Sequence, residues 1–244
     1  MKRGTAVVTG ASSGIGAATA VRLAQEGFDV IAAARRRERL EELARHTGIR
    51  AAPLDVTDAA SVERFAFELT DARLLVNNAG LGLGLLPVEE LDDRRAQTMW
   101  ETNVMGLLRV TRAVLPMLEA GGGGHVINVG SVAGFETYPG GSGYTSTKHA
   151  VRAITKTLRL ELVGRPIRVT EVAPGHVETE FALIRFEGDE QRAAKTYEGF
   201  TPLRADDIAD CIAWAATRPA HVNVDEIVVR PLAQASATVI ARDV

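Results

Sequence analysis

Tyr144 and Lys148 stand four residues apart in Gly143-Tyr144-Thr145-Ser146-Thr147-Lys148. On a helix both side chains lie on one face, one turn apart. An unperturbed phenol titrates near 10, too high for a base at neutral pH, and an ammonium held nearby favours the phenolate. Such a pair can move a proton on or off an alcohol oxygen; without a ligand site beside it, it is an ordinary surface pair. Ser131 closes an apolar run at 126–130, where its hydroxyl could bond a substrate carbonyl or simply cap a turn. Asn103 sits in the helical pattern 92–119, three residues before Gly106. Asn is a mediocre helix-interior residue. The spacing predicts a local kink where its amide holds a water, or else a satisfied core amide.

A second group could hold a nucleotide. Gly10, Gly14 and Gly16, with Ser12, Ser13 and Ile15 among them, follow the first apolar run directly and open a helical pattern. Glycines there let backbone N–H groups and a helix N-terminus meet a pyrophosphate; the bland alternative is a strand-to-helix turn. The second apolar run ends in Arg35-Arg36-Arg37 and not in the acidic residue that would grip a ribose 2′-hydroxyl. A guanidinium suits a 2′-phosphate by charge and bidentate geometry, which predicts NADP(H) over NAD(H). Arg35 is best placed, with Arg36 beside it, while Arg37 and Arg39 read as the solvated start of a helix. Asp55, next to Val56, could accept from the adenine amino group or cap the following helix.

The elements that position these residues alternate along the whole chain. Apolar, β-rich runs fall at 5–9, 30–34, 50–55, 74–77, 126–130, 167–173 and 227–230. Amphipathic helical patterns fall at 14–26, 38–45, 61–69, 92–119, 144–162 and 206–217. Continuous apolar runs belong to strands buried on both faces, the mark of a parallel sheet covered by helices. The expected fold is α/β: one doubly wound Rossmann-type domain over 1–244, with a seven-stranded parallel sheet and helices on both faces. Two connections, 81–87 and 181–200, are too long or oddly composed for plain turns. Both follow strands, so both should lie at the ligand edge of the sheet, with 181–200 as a lid. The apolar tail 231–244 is expected to pack against another subunit.

Composition narrows the function classes. The 244 residues are 46% hydrophobic and 24% charged, which excludes wholesale disorder. The net charge of −3 is too balanced for a protein built to grip nucleic acid. The single cysteine, Cys211, reads as a small hydrophobe in a reducing compartment. No apolar run is long enough to span a bilayer, and Met1-Lys2-Arg3 does not begin a signal peptide, so the expected location is the cytoplasm. His46, His125, His149, His176 and His221 show no metal-ligand spacing, so no metal is expected. No Gly-x-Ser-x-Gly elbow marks a serine hydrolase.

Together the residues TGASSGIG at 9–16, Asn77-Asn78-Ala79-Gly80, Asn103, Ser131, Tyr144, Lys148, Pro174-Gly175 and Thr179 resemble the short-chain dehydrogenase/reductase family over nearly the whole chain. The resemblance implies that Tyr144 donates the proton and Lys148 holds the nicotinamide ribose and lowers the Tyr144 pKa. Ser131 would polarise the substrate oxygen, and Asn103 would support a water-linked relay. Asn78, Ala79 and Gly80 would line the adenosine ribose, while Pro174, Gly175, Val177 and Thr179 would wrap the nicotinamide. It also implies a homotetramer.

Within the family the likeness is nearest to NADP-dependent serine and 3-hydroxy acid dehydrogenases, through Arg185-Phe186-Glu187-Gly188-Asp189, Lys195-Thr196-Tyr197 and 219–223 (PAHVN). That implies a small hydroxy acid or carbonyl substrate, serine or allo-threonine among the candidates. Arg185 and Lys195 are then candidate cations for its carboxylate, or solvated charges on a lid; bidentate geometry favours Arg185. Phe135, Tyr138, Leu85 and Phe181 could instead form an apolar mouth for a bulkier aldehyde or ketone. A non-catalytic NADP(H) sensor is the alternative of another class, and the complete Ser131/Tyr144/Lys148 set argues against it.

Overall fold

The computed structural model describes residues 3–242; Met1 and Lys2, and Asp243 and Val244 at the end of the tail, lie outside the described residues. The first half runs β1 (Thr5–Thr9), α1 (Gly14–Gln25), β2 (Asp29–Ala34), α2 (Arg37–Thr47), β3 (Arg50–Pro53), α3 (Ala59–Glu68) and β4 (Leu74–Asn77). Next come α4 (Asp93–Trp100), a π-helical turn (Glu101–Gly106), α5 (Leu107–Ala120), β5 (Gly124–Val129), α6 (Ser142–Glu161) and β6 (Ile167–Pro174). The short α7 (Phe181–Arg185) and α8 (Glu190–Lys195) precede α9 (Ala205–Ala216) and β7 (Glu226–Val229).

The described residues form one parallel sheet in the order β3-β2-β1-β4-β5-β6-β7. Every residue of β1 is buried, as its uninterrupted apolar run requires. Alternation along it divides the core. Ala6 and Val8 pack with Ala20 and Leu23 of α1 and Ile208 and Ile212 of α9. Val7 packs on the opposite face with Val62 and Phe65 of α3 and Val110 and Val114 of α5. This is the doubly wound Rossmann-type fold expected. Cys211, partly buried on α9, joins the first cluster. No helix among the described residues is long and apolar enough to cross a membrane.

Three local features refine the expected pattern. The run 50–55 ends as a strand at Pro53, because the Asp55 carboxylate turns back to accept from the Thr57 amide at 2.9 Å and its hydroxyl at 2.7 Å. The cap of α3 is Asp58, which accepts from the Ala60 amide, so Asp55 is not that cap. The pattern 92–119 is α4 and α5 joined by the π turn that carries Asn103, which is the local irregularity expected there and not a break in the element. The tail folds onto its own chain: Gln234, only 4% exposed, accepts from the His176 amide at 2.9 Å, and Glu136 accepts from the Ala237 amide at 2.5 Å. Part of the apolar tail is thus held by its own β6 loop and by Glu136, while Leu232 and Val239 stay exposed.

The sheet also buries a histidine with a testable cost. His125 of β5 is 2% exposed and its Nε2 lies 2.7 Å from the Thr170 hydroxyl. That hydroxyl donates to the Val224 carbonyl at 2.6 Å, so Nε2 must be the donor and Nδ1 is left bare and without a partner. Burial, with Arg168 adding to it, holds the imidazole pKa well below its ordinary value. The unfolded chain therefore takes up the proton first, and stability falls as pH drops below about 6.5, by at most ~1.4 kcal/mol per pH unit. Urea unfolding of wild type and His125→Gln between pH 7.5 and 5.5 checks this. The wild-type decline should be the steeper; parallel curves would refute it.

Candidate active site

The sheet order reverses between β1 and β4, and open α/β folds bind ligands at the carboxyl ends of the strands beside such a point. A cavity of about 700 Å³ opens there, within the usual size of a ligand site. Its wall draws on the segments that follow β1 to β6, and on the lid and the tail.

The phosphate end is built around the glycine turn. Gly10 has a positive φ of 65°, and a Cβ there would stand 2.8 Å from the Ala79 Cα. Gly16 serves packing only: a Cβ on it would stand 2.5 Å from the Asn78 side-chain nitrogen, and it does not line the cavity. Asn78 holds the turn by donating to the Thr9 carbonyl at 2.9 Å, while the Thr9 hydroxyl accepts from the Asn78 and Ala79 amides at 3.0 Å. Ser12, Ser13, Gly14 and Ile15 line the cavity. Ser13 is the N-cap of α1 but makes no side-chain cap bond, because its hydroxyl accepts from Arg36 at 2.6 Å. Amides of the first turn are thus left for an anionic ligand.

Arg35 and Arg36 both line the same end, as do Asp55, Val56, Asn78, Ala79 and Gly80. Arg35 is exposed and makes no hydrogen bond or ion pair among the described residues, and its charge acts on Asp55. Arg36 is committed, to Ser12 at 3.0 Å, to Ser13 and to Glu180 at 2.8 Å. A glycine turn that admits no Cβ, an uncapped helix start and a free guanidinium fit a phosphorylated dinucleotide. Among the described residues no cluster of three His, Cys, Asp or Glu fits a metal.

At the other end Ser131, Tyr144 and Lys148 line one wall. Ser131 leaves β5 and caps a short 3₁₀ turn, its hydroxyl accepting from the Ala133 amide at 3.1 Å. Helix α6 puts Tyr144 and Lys148 on one face, with Lys148 Nζ 5.8 Å from the phenol ring centroid. The ammonium is buried and donates to the Val129 carbonyl at 2.9 Å. Burial lowers its pKa to about 8, with Glu171 opposing. Enclosure pushes the Tyr144 phenol above its ordinary value, and Arg185 and the Ser131 hydroxyl draw it back. Two cations thus flank the phenol, Lys148 from its own helix and Arg185 from the lid.

Asn103 does not line the cavity; its neighbour Thr102 does. The Asn103 amide accepts from the Leu81 amide at 2.8 Å and donates to the Leu81 carbonyl at 2.8 Å and the Thr147 hydroxyl at 3.0 Å. Thr147 in turn donates to the Tyr144 carbonyl at 2.8 Å. The side chain therefore fastens the 81–87 loop to α6, with both amide hydrogens and one lone pair of its oxygen engaged.

Pro174, Gly175, Val177 and Thr179 continue the wall beyond β6. The lid follows: Phe181 meets the Tyr144 ring at 5.4 Å between centroids, and the Arg185 guanidinium lies 4.8 Å from both rings. Arg185 Nε is buried without a partner. Lys195 is exposed and outside the cavity wall. Of the four proposed mouth residues, Leu85, Tyr138 and Phe181 line the cavity, while Phe135 lies under Arg152 and Arg230. No periodic or local signal marked Glu180, or Ala237 and Thr238, which the returning tail adds to the wall.

Comparison with known proteins agrees with this geometry. Residues 4–189 match the family model described as short chain dehydrogenase. The chain is 44% identical to sulfoacetaldehyde reductase 2 of Chromohalobacter salexigens, covering 97% of this chain and 98% of that one. It is 43% identical to an NADP-dependent 3-hydroxy acid dehydrogenase of Salmonella typhi, covering 95% and 96%. Among solved structures, the closed form of a serine dehydrogenase complexed with NADP+ superposes with a TM-score of 0.93 at 40% identity, covering 98% of this chain and all of that one. The chain belongs to the short-chain dehydrogenase/reductase family and is an NADP-dependent oxidoreductase that interconverts an alcohol and a carbonyl.

Proposed function

We propose that the substrate is a small acid whose 3-hydroxyl is oxidised reversibly to the carbonyl, with serine and allo-threonine as candidates. The observation that carries this reading is Arg185, whose guanidinium lies 4.8 Å from the Tyr144 ring centroid with a buried Nε that has no protein partner. An unpaired buried donor is costly unless a ligand satisfies it. A carboxylate two carbons from the reacting centre reaches Arg185 while its hydroxyl meets Tyr144 and Ser131. Two relatives named above act, by name, on compounds with an anionic group near the reacting carbon, a sulfonate in one and a carboxylate in the other. A bulkier apolar carbonyl is favoured less, because Phe135 is turned away from the cavity.

NADP(H), when bound, gives or takes the hydride. The chain's residues supply the rest. Arg35 and Arg36 hold the 2′-phosphate, with Asp55 and Val56 beside the adenine. Asn78, Ala79 and Gly80 line the ribose, and Pro174, Gly175, Val177 and Thr179 line the nicotinamide. Ser131 donates to the carbonyl oxygen, Tyr144 gives that oxygen its proton in reduction and takes it in oxidation, and Lys148 orients the sugar between them. Asn103 positions α6 through Thr147. Segment 181–200 acts as the lid. Trp100 and Leu160, 43% and 75% exposed on α4 and α6, support assembly into a homotetramer.

The test is a panel followed by NADPH absorbance: serine, allo-threonine, 3-hydroxypropionate and sulfoacetaldehyde against the methyl esters of the three acids. The anions should exceed their esters at least tenfold or so in kcat/KM, the value of roughly one charged hydrogen bond. Esters turned over as well as acids would remove the anion from the reading.

A further inference from the structure

Glu180 lies between Thr179 and the first residue of α7, and its carboxylate lines the cavity together with Ser12, Ser13, Arg35 and Arg36. One carboxylate oxygen accepts from Arg36 Nη1 at 2.8 Å, and the other accepts from Arg39. Arg36 is thereby engaged on three nitrogens, with Nε on Ser12, Nη2 on Ser13 and Nη1 on Glu180. The charged groups facing this point are Arg36 at the N-cap of α2, Arg39 of α2, Glu180 ahead of α7, and Arg35 with Asp55 across from them. The two arginines hold the Glu180 carboxyl down to about 2, so it is an anion at every working pH.

We propose that Glu180 is an internal counter-anion that competes with the 2′-phosphate of NADP(H) for Arg36, and so limits how tightly the phosphorylated cofactor is held. The proposal rests on the reading that Arg35 and Arg36 take that phosphate. A 2′-phosphate brought to Arg36 meets a carboxylate on the same guanidinium, and like charges at that range repel. The 2′-hydroxyl of NAD(H) brings no such conflict. The carboxylate therefore works selectively against the cofactor the enzyme uses, which favours release of the spent cofactor, a step that often limits turnover. Glu180 is followed directly by Phe181, whose ring rests on Tyr144, so an exchange of anions at Arg36 acts on the segment that covers the proton donor.

Calorimetric titration of the full-length protein with NADP+, NAD+ and adenosine 2′,5′-bisphosphate tests this. Glu180→Gln should tighten NADP+ and the bisphosphate about two- to fivefold, as expected for partly exposed ion pairs, and leave NAD+ unchanged. Unchanged or weakened NADP+ binding, or equal tightening of NAD+, overturns the proposal. Arg36→Ala in the same titrations separates the two readings, with its NAD+ affinity reporting an intact fold. If Arg36→Ala keeps the NADP+ to NAD+ ratio, the assignment of the 2′-phosphate to Arg36 fails and the competition fails with it. If the ratio collapses while Glu180→Gln changes nothing, only the competition is refuted.

Discussion

Tyr144→Phe should lower kcat by about 10²–10⁴-fold in both directions, the loss of ~3–5 kcal/mol of transition-state stabilisation. The substitution removes one hydroxyl and keeps the ring that Phe181 and Arg185 pack against. The Lys148 bond to the Val129 carbonyl does not involve the phenol, so the ribose side of the site is untouched. NADP+ affinity by titration should stay within about twofold, and the KM of the substrate should move far less than kcat, as when an interaction belongs to the transition state. Wild-type alcohol oxidation should rise with pH, because it needs the phenolate and enclosure holds the phenol above its ordinary range. The variant should lose that rise. Retained turnover in the variant would remove Tyr144 as the proton carrier, whatever its place in the cavity wall.

The parts of this molecule that the sequence made legible are those governed by local or periodic physics. Strand β1 reads as a strand because burial on both faces demands an unbroken apolar run, and Thr5–Thr9 supplies one. Tyr144 and Lys148 share a face because helical spacing places them so. The glycine turn is legible because a positive φ at Gly10 and the close approach of Asn78 to Gly16 each admit one residue type. What remained hidden depends on partners far along the chain. Asn103 is visible as a misfit in a helix, but the misfit is explained by Leu81, whose backbone its amide brackets. The pairing of Glu180 with Arg36 spans 144 residues and leaves no periodic trace. The tail's apolar composition does not reveal that its own Glu136 and His176 bond to it. The Arg185 charge beside the phenol is hidden for the same reason: spacing fixes that Tyr144 and Lys148 are neighbours, while the fold of the lid fixes where Arg185 ends.

Arg185→Met should separate two effects of that one guanidinium. Met keeps much of the length and apolar contact with the Phe181 and Tyr144 rings, so the lid can still close over the proton donor. Toward a 3-hydroxy acid, loss of the charged contact should cost about 1.5–3 kcal/mol, or roughly 10–150-fold in kcat/KM, carried mainly by KM. A neutral ketone should keep its KM, because it has no anion to lose. Both substrates should show the second effect. Arg185 draws the phenol down, so its removal lets the Tyr144 pKa rise further and moves the pH dependence of oxidation to the alkaline side. Steady-state rates for an acid and a neutral ketone across pH 6–10 resolve the two. An equal rise in KM for both substrates would remove the carboxylate contact, and an unmoved pH profile would remove the influence on Tyr144.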